Sequence, residues 1–518
     1  MNPILRPILL GAINSTYQHC SIGIRYIYAN MGALQNDCEM VEWTIKENPL
    51  TIVENILKAR PRILGLGVYI WNTNEVYEVC STLKKVAPEI TIVLGGSEIS
   101  YETETNALYN VCDYIIKGEA DFAFPQLCQK ILTGEHLDHK VMESVLPDIK
   151  AIALPYKHFT DNDIKNRIIY VEASRGCPYK CEYCLSSLDK SVRSFDLDIF
   201  LVEMQILIDR GARVFKFVDR TFNLSPTTST KILNFFLKQI ELGFFLHFEL
   251  VPDRLPNEIK DLIVQFPKGS LQFEIGIQTL NPIVAQNVSR KNDLTKVKDN
   301  FSYLKSATKV HTHADLIAGL PGETVESFAE GFDLLYSWGP DEVQLGILKR
   351  LKGTPIIRHE STFAMKYSEL APFQILSTNS MSYLELQKMN RLSKFWDSIA
   401  NSGDFPEFMK WISAKSSSLF WTFFFLSEYL FERHRNSHSI ALLSLVESLL
   451  AYMQTQGANL EQSQEILVKD YSFGQKRRDV PHFLKVHQSV ASKNMSNEVF
   501  SAKQTVRAAI YNQRQLNR

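Results

Sequence analysis

The sequence has no apolar run near the roughly 20 residues needed to span a bilayer. Its longest, LFWTFFFL at 419–426, reads as a buried helix. The N-terminus, MNPILRPILLGAIN, lacks the charged flank and unbroken apolar core of a secretion signal and reads as a first strand. An excess of charge is missing as well: 57 acidic side chains stand against 56 basic ones. Global electrostatics therefore select no membrane surface, polyanion or nucleic acid as partner. The eight cysteines have no regular framework, so reduced thiols and a cytoplasmic compartment are expected. There is no internal repeat, no low-complexity tract, and no GxGxxG opening the first helix, which removes the usual dinucleotide fingerprint.

What is present is a 518-residue chain with 45% apolar residues, enough for two or three cores. Residues 1–137 alternate strands at Pro7–Ala12, Met40–Trp43, Ile63–Tyr69, Thr91–Leu94 and Tyr114–Lys117 with helices at Ser21–Leu34, Thr51–Lys58 and Thr73–Val86. That alternation implies an α/β, Rossmann-like parallel sheet with its ligand edge at the strand C-termini. GLGVYIWN at 65–72, LGGSE at 94–98 and KGEAD at 117–121 sit at those ends, where glycine permits close approach. Residues 138–166 lose their period and read as a linker. Six further strands, Ile168–Ser174, Arg213–Val218, Phe244–Val251, Leu271–Gln278, His313–Ala318 and Glu342–Leu348, suggest a partial (β/α)6 barrel over 167–355 with chemistry on its C-terminal rim. From 356 to 518 the apolar spacing is helical, with APFQIL as a turn between helices.

Directly after the first of these six strands, YVEASRGCPYKCEYC places Cys177, Cys181 and Cys184 on one loop. Three soft thiolates suit iron and leave one corner of a cubane open. A closed structural zinc site needs four ligands, and no cysteine follows Cys184. Cys20, Cys38, Cys80, Cys112 and Cys128 are scattered and read as buried structural thiols rather than a second cluster.

The Cys-x3-Cys-x2-Cys spacing with Tyr183 before the last cysteine resembles the radical SAM superfamily. The resemblance implies a [4Fe-4S] cluster that cleaves S-adenosyl-L-methionine (AdoMet) to a 5′-deoxyadenosyl radical. It also implies an external electron donor such as flavodoxin or ferredoxin. FVDRTFN, LHFELVPD, EIGIQT and ADLIAGLPGET resemble the later strand-end motifs, which would bring Asp219, Arg220, Glu249, Glu274, Gln278, Gly319, Gly322 and Glu323 to AdoMet.

The N-terminal segments YQHCSIGIRYIYANM, LGLGVYIWNTN, LGGSE and YIIKGEADFAFPQL resemble the cobalamin-binding branch of the same superfamily. By that resemblance Tyr69, Trp71 and Asn72 lie near a corrin, and Gly95, Gly96, Ser97, Glu98, Gly118 and Glu119 near its nucleotide tail. The Asp-x-His-x-x-Gly signature that gives some cobalamin proteins a cobalt ligand is absent, and His19 is a poor substitute. The implied activity is methylation of an unactivated carbon. Its rivals are a cobalamin-associated rearrangement or cyclisation, and a noncatalytic redox sensor; the substrate is not legible. The tract after residue 320 resembles members with a helical C-terminal domain of undefined function. Residues 476–518 carry nine Lys or Arg and two acids; such a tail could meet RNA phosphates, but no RNA-binding motif accompanies it, so a solvated helix face is the reading.

Overall fold

The apolar runs at 8–14, 63–66 and 92–94 are buried along their length, as the central strands of a parallel sheet covered on both faces must be. The computed structural model describes residues 6–135 and 137–472. Among these residues β1 (Ile8–Asn14), β2 (Cys38–Thr44), β3 (Ile63–Gly67), β4 (Thr91–Gly95), β5 (Tyr114–Lys117) and β6 (Val141–Glu143) form one parallel sheet in the order β2-β1-β3-β4-β5-β6. Helices Ile22–Ala29 and Ala123–Thr133 pack on one face. Helices Pro49–Ala59 and Thr73–Val86 pack on the other. The chain leaves β1 for β2 on one side and β3 on the other, so the topological switch point, where such sheets take ligands, lies between β1 and β3.

Two expectations for this half need correction. The helix expected over 21–34 ends at Ala29 and resumes as a 3-10 turn, Gly32–Asp37, because Gly32 takes a positive φ. The segment 138–166 is more than a linker. Val141–Glu143 supplies the sixth strand, and Asp161–Asn166 is a short helix held by a Thr160/Asp163 capping box.

The second sheet runs Ile169–Val171, Val214–Phe217, Phe245–Leu250, Leu271–Gln278, His311–Ala318 and Glu342–Ile347, all parallel and adjacent in chain order. This is an open, partial barrel. Alternation along the strands sends Phe215, Phe217, Leu246, Phe248, Phe273 and Ile275 outward into the core; each fully buried phenylalanine there contributes roughly 1.5–3 kcal/mol. The alternate residues, Lys216, His247, Glu249, Glu274, Gln278, His313 and Asp315, face the lumen.

Between residues 378 and 472 the regular elements are all helices: Tyr383–Ile399, Pro406–Lys415, Leu419–His434, Leu442–Thr455 and Leu460–Ser472. These helices share one apolar core with the barrel. Trp396 packs edge-on against Phe332 and Phe423 and donates its indole N–H to the Val343 carbonyl at 2.8 Å. The strand pattern does not stop at 354, contrary to expectation. Lys366–Tyr367 pairs antiparallel with Ile375–Ser377, and APFQIL forms the turn and part of the second strand of that ladder. The basic stretch 476–518 lies outside the described residues. No helix among those described is long and apolar enough to cross a membrane.

The two sheets are tied by buried charge. Arg25 bonds Glu42 and Asp163 at 2.8 and 2.9 Å, and Arg167 bonds the same two carboxylates at 2.6 and 2.9 Å. Such a network fixes one docking geometry more than it adds net stability. At the opposite side Lys352 pairs with Glu98 at 3.0 Å and Arg350 with Glu102 at 2.9 Å.

Candidate active site

The cysteine loop leaves the first barrel strand and closes on itself. Ser174 and Arg175 pair antiparallel with Ser194 and Arg193, and the Cys177 N–H donates to the Asp189 carbonyl at 3.0 Å. Gly176 is required there: its φ is +92°, and a Cβ would lie 1.8 Å from the Ser191 carbonyl oxygen. Glu182, between the second and third cysteines, is buried and takes Arg358 at 2.5 Å and His359 at 2.9 Å, which pins the loop to the segment after the last barrel strand. Beneath the loop Asp219 accepts from Ser174 Oγ at 2.6 Å and the Ala173 N–H at 3.0 Å. Burial pushes its carboxyl up to about 7 against those hydrogen bonds.

Cys177, Cys181 and Cys184 line one rim cavity of about 180 Å³ together with Tyr183, Arg220, Glu249, Glu274, Gln278, Arg290 and Asp315. Among the described residues, the ligand atoms that gather within 4.8 Å of one another belong to Cys20, Glu42 and Asp163, not to this trio. Bonds of about 2.3 Å to a single zinc ion would bring sulphurs closer than that. All eight cysteines are free thiols, and Cys177, Cys181 and Cys184 share one loop and one cavity. The Cys20 group is no metal centre, because Arg25 and Arg167 already occupy its carboxylates.

Not every expected residue reaches this cavity. Arg220 and Glu249 do, as an ion pair at 2.7 Å. Gln278 does from a strained backbone: its φ is +73°, at a register slip between the fourth and fifth barrel strands. Asp219 does not line it. Gly319 abuts Ile375 and Leu386, and Gly322 abuts Phe363 and Asn287, so both face the C-terminal part of the chain rather than the cavity. Glu323 is 1% exposed, accepts from Thr279 Oγ1 at 2.6 Å, and is pushed by burial up to about 8.

Arg290 and Asp315 are among the lining residues that sequence reasoning did not single out. Arg290 donates to Tyr183 Oη at 3.2 Å, to Cys181 Sγ at 3.4 Å and to the Ile277 and Gly276 carbonyls. It sits in an unremarkable VSRKN stretch; only folding brings it to the sulphurs. Asp315, within the quoted ADLIAGLPGET, lies 3.3 Å from His313. Burial and the neighbouring Glu274 and Glu249 raise its carboxyl well above the ordinary range. Burial also raises Glu274, but the bond from His247 at 2.9 Å and the Lys216 charge outweigh it and hold that carboxyl low. The alternation of the fifth barrel strand could have flagged Asp315.

A second cavity of about 260 Å³ lies on one face of the first sheet, between the helices 22–29 and 123–133. Gly65, Gly67, Gly95, Gly96 and Gly118 line it with Tyr69, and Glu172 and Arg175 reach it from the barrel. Gly96 has a φ of +104°, and a Cβ there would lie 2.6 Å from the Val68 carbonyl oxygen. Such a glycine-rich wall, with Tyr26, Tyr69 and Phe124 beside it, leaves room for a flat organic group of the kind a cobalamin nucleotide tail carries. Tyr69 and Trp71 stack at 4.6 Å with planes 7° apart, and Trp71 is 45% exposed, so it forms a platform rather than core. Other residues expected at this cofactor are committed elsewhere. Asn72 is buried, with its side chain bonded to Ile13 O, Gly67 O and Tyr69 N. Glu98 pairs with Lys352 and Glu119 with Arg175 and Arg193. Neither these three nor Ser97 lines the cavity. His19 points the other way, 2.5 Å from the Tyr170 hydroxyl.

Against known proteins, residues 171–335 match the radical SAM superfamily, 8–128 the B12 binding domain, and 361–518 a protein family of unknown function, DUF4080. The chain is 23% identical over 349 residues to an uncharacterised methyltransferase of Pyrococcus horikoshii, covering 61% of this chain and 74% of that protein. It is 23% identical over 341 residues to the cobalamin-dependent radical SAM methyltransferase TokK of Streptomyces tokunonensis, covering 56% of this chain but only 47% of that one. Among solved structures, the cobalamin-dependent radical enzyme OxsB superposes with a TM-score of 0.59 at 12% identity, covering 98% and 83% of the two chains. The methyltransferase TsrM of Kitasatospora setae gives 0.57 at 13%, covering 83% and 99%. The chain is thus an enzyme built of a B12-binding domain, a radical SAM domain and a DUF4080 domain.

Proposed function

We propose that this chain, a cobalamin-dependent radical SAM enzyme by its domains, methylates an unactivated carbon. The observation that carries the reading is the pairing of two sites: three cysteines and an arginine in one rim cavity, and a glycine-lined cavity in the adjoining sheet. When bound, the cluster with AdoMet supplies hydrogen-abstracting chemistry and methylcobalamin supplies the methyl group. The residues do the rest. Cys177, Cys181 and Cys184 would hold the iron of the cluster. Arg290, half-buried beside the Cys181 sulphur, offers the fixed cation a carboxylate requires. Glu249, Gln278 and Asp315 present polar atoms for an amino group and a ribose, and Arg220 holds the Glu249 carboxylate in place. On the sheet side Tyr69, Gly95, Gly96 and Gly118 receive the cobalamin tail, with Trp71 as an aromatic platform toward the corrin.

Asp219 steadies the base of the cysteine loop through Ser174 and Ala173, and Glu119 through Arg175, whereas Gly319, Gly322, Asn72, Ser97 and Glu98 lie outside both cavities. The working domain limits are 1–137, 167–355 and 356–518, with strand 141–143 completing the first sheet. An external low-potential donor of the flavodoxin or ferredoxin kind supplies electrons, and the free thiols suit a reducing cytoplasm. The test is anaerobic reconstitution with dithionite, AdoMet and hydroxocobalamin in the presence of a cell-extract metabolite pool. Methylation yields 5′-deoxyadenosine, S-adenosylhomocysteine and a product one methyl heavier. 5′-Deoxyadenosine with no homocysteine product would instead indicate a rearrangement or cyclisation, and neither product despite a verified cluster would indicate a redox sensor.

A further inference from the structure

The KGEAD loop after β5 carries two acids, Glu119 and Asp121, of which Asp121 lines the sheet cavity. They meet the base of the cysteine loop. Arg175, two residues before Cys177, bonds Glu119 at 2.7 Å, Asp121 at 3.0 Å and Glu172 at 2.9 Å. Its guanidinium lies 4.5 Å over the Tyr26 ring and 5.5 Å from Phe195. Arg193, its cross-strand partner in the ladder that closes the loop, also bonds Glu119, and bonds Asp189 at 3.2 Å. Asp189 in turn accepts the Cys177 N–H through its carbonyl.

Arg175 therefore has two faces. Its guanidinium, with Asp121 and Tyr26, forms part of the wall of the sheet cavity, while its backbone sets the start of the turn that aims Cys177. A five-donor planar fork caged by three carboxylates and two rings has one way to sit, so displacement on one side is transmitted to the other. We propose that Arg175 and Arg193 are positioning residues that couple occupancy of the sheet cavity to the geometry of the cysteine loop, so that each cofactor favours binding of the other. The inference rests on the cobalamin reading of that cavity. Linkage requires the effect to be reciprocal.

The test uses the full chain, purified anaerobically, with and without a reconstituted cluster, and hydroxocobalamin as probe. Cluster loading is expected to tighten hydroxocobalamin binding on the order of ten-fold, and bound hydroxocobalamin to slow iron removal by EDTA by a similar factor. Arg193→Lys, outside the cavity wall, keeps the charge and loses the fork; Glu119→Gln keeps the shape and loses the shared anion. Both should abolish the cluster-dependent gain while the cluster-free affinity stays at the wild-type value. Equal wild-type affinity in the two cluster states overturns the coupling and leaves the cofactor reading intact. No uptake in either state overturns both. Variants that weaken binding equally with and without cluster show a merely structural role, and so does retention of the gain in either one.

Discussion

Gly95→Leu separates a cofactor cavity from a packing void. Gly95 ends β4 and lines the cavity, its φ is not positive, and a Cβ there meets only the Ile116 carbonyl oxygen, at 3.5 Å, an ordinary contact. A leucine can therefore be carried without backbone strain, with its side chain lying in the space of about 260 Å³. The fold should keep or slightly gain stability, since apolar surface is buried and a void is filled. A bound tail would have to displace or distort that side chain, and overpacking costs about 1–3 kcal/mol, or about 5- to 160-fold in affinity. The neighbouring Gly65→Ala is the contrasting control. Its Cβ would fall 2.6 Å from the Phe124 ring, so it should lower the melting temperature. The assay is equilibrium hydroxocobalamin binding by absorbance, paired with a thermal melt. If Gly95→Leu melts like wild type and binds within two-fold of it (roughly 0.4 kcal/mol), the ligand does not occupy this cavity and the argument is wrong.

Other outcomes follow from the rim. Arg290→Lys retains charge but cannot span the Tyr183, Cys181 and Ile277 acceptors; AdoMet affinity of the cluster-loaded protein should fall at least about ten-fold, and unchanged affinity would remove Arg290 from the site. Cys184→Ala should leave iron below four per chain after reconstitution and abolish 5′-deoxyadenosine formation, measured by iron assay and chromatography. Glu323 gives a pH signature. Its folded pKa, about 8, lies above the ordinary 4.5 because of burial. The folded state thus holds the proton more tightly, and the stabilisation, complete below pH 4.5, is lost as pH rises toward 8 at up to about 1.4 kcal/mol per unit. Glu323→Gln should therefore melt progressively higher relative to wild type between pH 6 and 8.5; parallel melting curves across that range would contradict the assignment.

Local chemistry explains which parts were legible in the chain. Strand and helix alternation is a near-neighbour pattern, so both parallel sheets could be drawn, and the three cysteines share one loop whose spacing is itself the signal. Errors came where distant residues decide. Val141–Glu143 is too short to announce itself and becomes a strand only because β5 offers an open edge. The ladder Lys366–Tyr367 with Ile375–Ser377 likewise has little periodicity of its own.

The site divides in the same way. Residue type and order alone marked the three-cysteine loop, the partial barrel and the B12-binding domain, because thiolate count and glycine-ended strands constrain chemistry without needing a third dimension. Tertiary structure alone decided the rest. It turned Asn72 inward to backbone carbonyls, committed Glu98 to Lys352 and Glu119 to two arginines, and set Gly319 and Gly322 against the C-terminal part of the chain. It also brought Arg290 to Cys181 across more than a hundred residues. A charged side chain buried on folding must find its partner in space, and the sequence does not record which opposite charge will be there.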